Sequence, residues 1–198
     1  MKPLRIVTPP LGANSYLAGN IMIDVGGDTQ FLLKKLSKRL KEVEYIFLTH
    51  SHFDHASAAS DLKKIGCKVV MHRKEYETMK TYMSQFFAMV EPDIFVEGGE
   101  IFKTGGLKLK ILHTPGHTSG SICLYEPDKK WLFSGDTVFP YGSFGRVDLP
   151  GGSAVELIRS LEMLSKLEVD MLYPGHEEPV KNGNHILNSL KNAKKFLI

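Results

Sequence analysis

The segment Thr49-His50-Ser51-His52-Phe53-Asp54-His55 puts three imidazoles and one carboxylate into six consecutive positions, 50–55. In an extended backbone, residues two apart project to the same side, so His50 and His52 can aim at one ion. Asp54 and His55 follow where the chain turns into a helix and can reach a second point nearby. Imidazole nitrogen with a carboxylate suits zinc, iron or manganese, whereas calcium and magnesium favour an all-oxygen shell. Chance would place this H-x-H-x-D-H pattern in roughly one of two thousand chains of similar composition, so it carries weight as a metal motif.

Three later positions repeat one local design: an apolar strand, a glycine, then a ligand-type side chain. They are His117 in Thr114-Pro115-Gly116-His117-Thr118, Asp136 in Ser134-Gly135-Asp136-Thr137, and His176 in Tyr173-Pro174-Gly175-His176. Glycine lets the backbone bend so that the next side chain swings over the strand end. Taken singly, each is as well explained by a turn or a helix cap; together with the histidine-rich segment they read as one set. Asp24 follows an apolar strand and can accept an N–H from a ligating histidine, or cap a turn. Arg146 is a second supporting candidate, with an ion pair to Asp148 as its structural alternative. His72 reads as a satisfied histidine at a strand end, and His113 and His185 fall outside the motif positions. No Gly-x-Ser-x-Gly marks a serine nucleophile.

These residues need strand ends to hold them. Asn14–Leu17 and Ile21–Val25 read as strands joined at Gly19-Asn20. Asp28 caps a helix with Leu32, Leu36 and Leu40 spaced four apart. Glu44–Thr49 is a strand buried on both faces, followed by a helix over Ala56–Ile65 that stops at Gly66. A strand at Lys68–His72 and a helix at Lys74–Ser84 come next. Further strands are read at Ile101-Phe102, Leu107–Leu112, Ser121–Tyr125, Trp131–Phe133 and Asp170–Tyr173. Helices are read at Ala154–Lys166 and from Asn184. Interleaved helices and hairpins make a layered α/β protein, with helices covering sheets. The aromatic and methionine-rich run Tyr82–Met89 could line an apolar acyl pocket, or belong to the core or a subunit contact. Tyr141–Phe144 could border the site.

The 198 residues are read as one domain over 1–198, long enough to bury a core without staples. With 25 basic and 22 acidic residues the net charge is +3, and the lysine runs lie on helical faces. A nucleic-acid partner would need a stronger basic stripe, so none is expected. No apolar run reaches membrane-spanning length, and Met1–Leu17 lacks an apolar signal core, which points to the cytoplasm. Cys67 and Cys123 have neither metal-ligand nor redox spacing and read as small buried hydrophobes.

The order of motifs resembles the metallo-β-lactamase superfamily over nearly the whole chain. Carrying His55 after Asp54, where the β-lactamases have an arginine, the chain is similar to the glyoxalase II branch, the hydroxyacylglutathione hydrolases. Asn14-Ser15-Tyr16-Leu17 with Ile23-Asp24-Val25-Gly26, Thr114–Ser121, and Gly135–Phe139 with Gly145–Gly152 resemble its short single-domain members. The resemblance implies a four-layer αβ/βα sandwich and two divalent metal ions, zinc first, with iron or manganese as alternatives. It implies that His50, His52 and His117 hold one ion, that Asp54, His55 and His176 hold the other, and that Asp136 bridges them. The implied activity is attack of metal-bound hydroxide on a small-molecule thioester or ester, with Asp54 also orienting the nucleophile. A mononuclear-iron persulfide dioxygenase, a nuclease of the same superfamily and a non-catalytic binding module are the alternatives. Metal content and oxygen uptake separate the first of these, and the complete ligand set weighs against the last. A homodimer is compatible with the apolar segment near Phe86.

Overall fold

In the computed structural model, which describes residues 2–82 and 86–197, the strands form two six-stranded mixed sheets. The first takes its strands in chain order: β1 (Leu4–Thr8), β2 (Ala13–Ala18), β3 (Ile21–Ile23), β4 (Tyr45–Phe47), β5 (Lys68–His72) and β6 (Ile94–Val96). β1 to β3 form an antiparallel meander, and β3 to β6 run parallel. The second sheet holds β7 (Ile101–Thr104), β8 (Leu107–His113), β9 (Ile122–Glu126), β10 (Trp131–Gly135), β11 (Met171–Pro174) and β12 (Val180–Lys181). Its pairs are antiparallel except β10 with β11.

Alternation along the strands separates three apolar layers. Ile21, Ile23, Phe47 and Val70 of the first sheet meet Leu109, Ile111, Leu124 and Phe133 of the second. On the first sheet's other face, Met22, Ile46 and Val69 pack with Leu32 and Leu36 of α1 (Thr29–Leu36) and Leu62 of α3 (Ala59–Lys64). On the second sheet's other face, Leu132 and Leu172 pack with Leu157 and Leu161 of α5 (Ala154–Leu164) and Ile186 of α6 (Asn184–Phe196). The result is the four-layer αβ/βα sandwich that the motif order implied.

Local departures have identifiable causes. The single helix read over Ala56–Ile65 is two pieces, α2 (Phe53–Ala56) and α3. The ladder breaks because Ala58 N–H donates to Val25 O, two residues past β3, rather than up the helix. Asp54 and His55 therefore lie inside α2. Leu40 falls outside α1, because Ser37 (φ 45°) turns the chain into a 3₁₀ turn over Ser37–Glu42. α4 spans Arg73–Tyr82, and Ser84 lies outside the described residues. β1, β6 and β12 had no counterpart in the sequence reading. All three are edge strands, where pairing on one side needs little apolar pattern. Among the described residues, no helix is long and apolar enough to cross a membrane.

The topology gathers the ligand candidates. β8 and β10 are both antiparallel to β9, and β11 is parallel to β10, so these three strands end on one side. His117, Asp136 and His176 follow those ends. β3, β4 and β5 are likewise parallel, and Asp24, the 49–55 segment and Glu75 follow theirs.

Candidate metal centre

Asp24 is buried and takes a left-handed backbone (φ 55°), which turns its carboxylate beneath the β4 end. It accepts Thr49 N–H at 2.8 Å, Thr49 Oγ1–H at 2.8 Å and His55 Nδ1–H at 2.8 Å. Thr49 Oγ1 spends its one proton on Asp24, so at 3.1 Å it must accept from His50 Nδ1–H. One carboxylate thus fixes the ring orientation of two histidines. His50 Nε2 is left as a buried lone pair with no hydrogen-bond partner. The carbonyl of Arg146 does the same for His117, accepting from Nδ1–H at 2.7 Å.

The freed atoms converge. His50, His52 and His117 form one set of donor atoms lying within 4.8 Å of one another, and Asp54, His55 and His176 form a second. Two ligands on one tetrahedral ion at 2.0–2.1 Å stand about 3.3 Å apart. His52 Nδ1 and His117 Nε2 are 3.0 Å apart, His55 Nε2 and His176 Nε2 3.3 Å, His176 Nε2 and Asp54 Oδ2 3.2 Å, and His55 Nε2 and Asp54 Oδ2 3.6 Å. Asp136 lies between the sets. Its Oδ1 is 3.3 Å from His55 Nε2, and its Oδ2 is 3.6 Å from His117 Nε2 and 3.5 Å from His176 Nε2. Asp136 Oδ1 is also buried without a hydrogen-bond partner. Buried polar atoms are ordinarily paired, so the orphaned Asp136 Oδ1, 3.3 Å from His55 Nε2, and His50 Nε2, whose residue belongs to a set within 4.8 Å, fit a pair of divalent ions. A third grouping, Asp24 with His50 and His55, is as close, but Asp24's oxygens are already occupied behind the rings.

Glycines make room for this arrangement in two ways. Gly116 (φ 139°) and Gly135 (φ 49°) supply the bends that the motif reading anticipated. Gly175 has ordinary negative φ and serves by its size: a Cβ there would strike Asp136 Oδ1 and stand 2.8 Å from His55 Cε1.

Sequence reasoning missed Glu75, on α4. It is fully buried, and its Oε1 accepts Ser51 N–H at 2.8 Å and Ser51 Oγ–H at 2.7 Å. Its Oε2 accepts Thr118 Oγ1–H at 2.5 Å and Gly120 N–H at 3.2 Å. Ser51 sits between two ligand histidines and Thr118 follows a third, so one carboxylate clamps two ligand loops. Phe87 stacks on His52 with ring centroids 5.1 Å apart and supports its outer face.

The two sets differ electrostatically. Burial, joined by the charges of neighbouring imidazoles, holds His50 far below the usual histidine range and His52 down to about 3. Burial also opposes the His55 imidazolium, but Asp136, Asp24 and Asp54 outweigh it and hold that ring up to about 10. His176 is raised against its burial by the Asp54 hydrogen bond and the Asp136 charge. Burial would raise Asp54, yet the His176 hydrogen bond and the His55 charge bring it well below the usual carboxylate range. The His55 and His176 set must therefore shed protons to take an ion, while His50 and His52 are already neutral. Chelator competition from pH 6 to 9 should show one ion whose affinity is nearly flat and another that strengthens about tenfold or more per pH unit. Equal slopes would contradict the assignment. In the metal-free chain, the His55 proton contributes stability below pH 6.5 that is lost as pH rises toward 10.

Asp24→Asn puts an amide N–H₂ where Thr49 Oγ1–H and His55 Nδ1–H need an acceptor. Metal affinity should fall about 10–100-fold, read by the same competition. An affinity within about threefold of the parent would remove Asp24 from this role.

The Arg146 guanidinium pairs with Asp148 at 2.7 and 2.6 Å, so this residue is both an exposed ion pair and, through its carbonyl, a support for His117. His72 is satisfied by Lys74 N–H at 3.1 Å and Glu97 O at 3.2 Å, and stacks on His113. His185 accepts Tyr141 N–H at 3.0 Å, which holds Tyr141 against α6 and away from the site. Phe144 packs in the outer core, so Tyr141–Phe144 does not line the centre. Cys67 and Cys123 are buried and free. Within Tyr82–Met89, Phe86 lines the cavity over the cluster and Phe87 and Ala88 are buried; residues 83–85 lie outside the described residues. That cavity holds about 470 Å³ and opens over His52, Asp54, His117, Asp136 and His176.

A family model described as the metallo-beta-lactamase superfamily matches residues 8–176. A probable metallo-hydrolase of Methanocaldococcus jannaschii is 37% identical over 186 residues, which is 84% of this chain and 88% of that one. Hydroxyacylglutathione hydrolase GloC of Haemophilus influenzae is 32% identical over 186 residues, 85% of this chain and 87% of its own. Among solved structures, TTHA1623 in a di-iron-bound form aligns with a TM-score of 0.76 at 28% identity, covering 96% of each chain.

Proposed function

The chain belongs to the metallo-beta-lactamase superfamily, and from that premise we propose that it is a binuclear metal-dependent hydrolase of small-molecule thioesters or esters. The observation that carries this reading is the convergence of orphaned or mutually close ligand atoms from seven side chains at the floor of one open cavity. His50, His52 and His117 would hold one ion, Asp54, His55 and His176 the other, and Asp136 both. Zinc fits the donor set, and the di-iron relative supports iron equally.

What such ions supply when bound is a water whose pKa falls from 15.7 toward about 7 and a Lewis acid for the substrate carbonyl. The chain's own groups do the positioning. Asp24 and the Arg146 carbonyl lock three ring orientations before substrate arrives. Asp54, kept ionised, can only accept hydrogen bonds and so orients the attacking water. A thiolate leaving group needs no strong acid, since a thiol's pKa is only about 8.5. The similarity to a hydroxyacylglutathione hydrolase supports the thioester branch of the reading.

The test is hydrolysis of S-lactoylglutathione and simple acyl thioesters before and after chelation. Turnover that stops with chelator and returns with added zinc, iron or manganese is the expected result. Turnover indifferent to chelator, or a single bound iron with oxygen uptake on a persulfide, would replace this reading.

A further inference from the structure

We propose, building on the hydrolase reading, that the substrate presents a medium-length apolar acyl chain, and that Leu11, Phe53, Phe86 and Leu149 form the surface that selects it. These four side chains line the wall of the 470 Å³ cavity above the ligand cluster. They come from separate places: the β1–β2 hairpin, the start of α2, the segment after α4 and the loop after β10. Leu11 is 66% exposed and Phe53 46% exposed, so this apolar surface faces the opening rather than the core. Backbone hydrogen bonds tie its parts to the fold. Phe53 N–H donates to Phe86 O at 3.1 Å, and Asp28 N–H ties down the hairpin at Pro9 O at 2.9 Å. An apolar rim above a polar cluster is the arrangement that binds an apolar chain by burial and a carbonyl by charge.

Charge points the same way. Glutathione carries two carboxylates and an ammonium, and recognising it calls for free cations. Among the described residues that line the cavity, Arg146 is the one lysine or arginine, and its guanidinium is held bidentate by Asp148. On α6, Lys194 pairs with Glu162 at 2.6 Å, and neither it nor Lys195 lines the cavity.

The experiment is a series of N-acetylcysteamine thioesters from acetyl to octanoyl, with S-lactoylglutathione alongside, on the metal-loaded protein. The expected result is kcat/KM rising about fourfold per methylene (~0.8 kcal/mol) until the wall is covered, and exceeding that for S-lactoylglutathione. Leu11→Ser and Phe53→Ser should lower the octanoyl value more than the acetyl value, mainly through KM. A flat series, or a preference for S-lactoylglutathione, overturns the proposal and leaves the thioesterase reading standing. If no thioester is turned over, the thioester branch of the hydrolase reading falls, and calorimetry with the stable thioethers S-octyl- and S-methyl-N-acetylcysteamine decides the pocket on its own. Octyl binding about 100-fold tighter supports it, and equal binding overturns it.

Discussion

Asp136→Ala should yield a folded protein that retains at most one ion and hydrolyses its substrate about 10³-fold or more slowly. The carboxylate stands within 3.3–3.6 Å of His55, His117 and His176, so it is the group placed to tie the two ligand sets together. Losing the bridge removes several kcal/mol of charge stabilisation at the reacting carbonyl, and each 1.36 kcal/mol is tenfold in rate. The fold should tolerate the change. Asp136 Oδ1 makes no hydrogen bond, and the neighbouring Gly175 N–H to Gly135 O bond at 2.8 Å belongs to the backbone. The metal-free variant should stay folded but lose stability below about pH 6.5, where the Asp136 charge helps hold the His55 proton, and the loss should shrink as pH rises toward 10. Elemental analysis, turnover and chelated melting temperature measure the three effects; a variant that keeps both ions would remove Asp136 from the bridge.

Glu75→Ala should have the opposite signature, with its largest effect on stability. Truncation leaves the Ser51 and Gly120 amides and two hydroxyls without their buried acceptor. At about 1–3 kcal/mol per unsatisfied buried group, with partial relief by water, the cost is roughly 3–5 kcal/mol. For a chain of this size that is a melting-temperature drop of roughly 10 °C. Because Ser51 and Thr118 adjoin His50, His52 and His117, affinity should fall most for the ion whose binding is nearly independent of pH. Glu75→Gln, which keeps one accepting oxygen, should recover part of both losses. An unchanged melting temperature and metal affinity in Glu75→Ala would show that the loops are held by something else.

Legibility followed sequence distance. His50, His52, Asp54 and His55 sit side by side, and His117, Asp136 and His176 each follow an apolar strand and a glycine; singly each of these three fits a turn or cap as well, and only beside the histidine-rich segment do they read as one candidate set. Asp24 was legible as a supporter of a histidine, but its hold on His50 through Thr49 was not, because it depends on a backbone turn (φ 55°) that no local pattern specifies. Glu75 was invisible for a related reason: its partners Thr118 and Gly120 are 43 and 45 residues away. Its sequence trace is the buried stripe Glu75, Thr78, Met79 on an otherwise polar helix. Gly175 was recognised as a glycine that matters, though its role is to make room for Asp136 and not to bend the chain. The layered α/β class followed from alternating elements. The stacking of two sheets did not, since the residues between them, such as Phe47 and Phe133, look like any strand interior until the sheets are paired.

Elemental analysis of the protein purified without chelator decides whether this cluster is a two-ion centre. Two zinc-, iron- or manganese-class ions per chain are expected, either as isolated or after reconstitution, and about one fewer in Asp136→Ala. A chain that carries no ion and takes up none on reconstitution would contradict that reading.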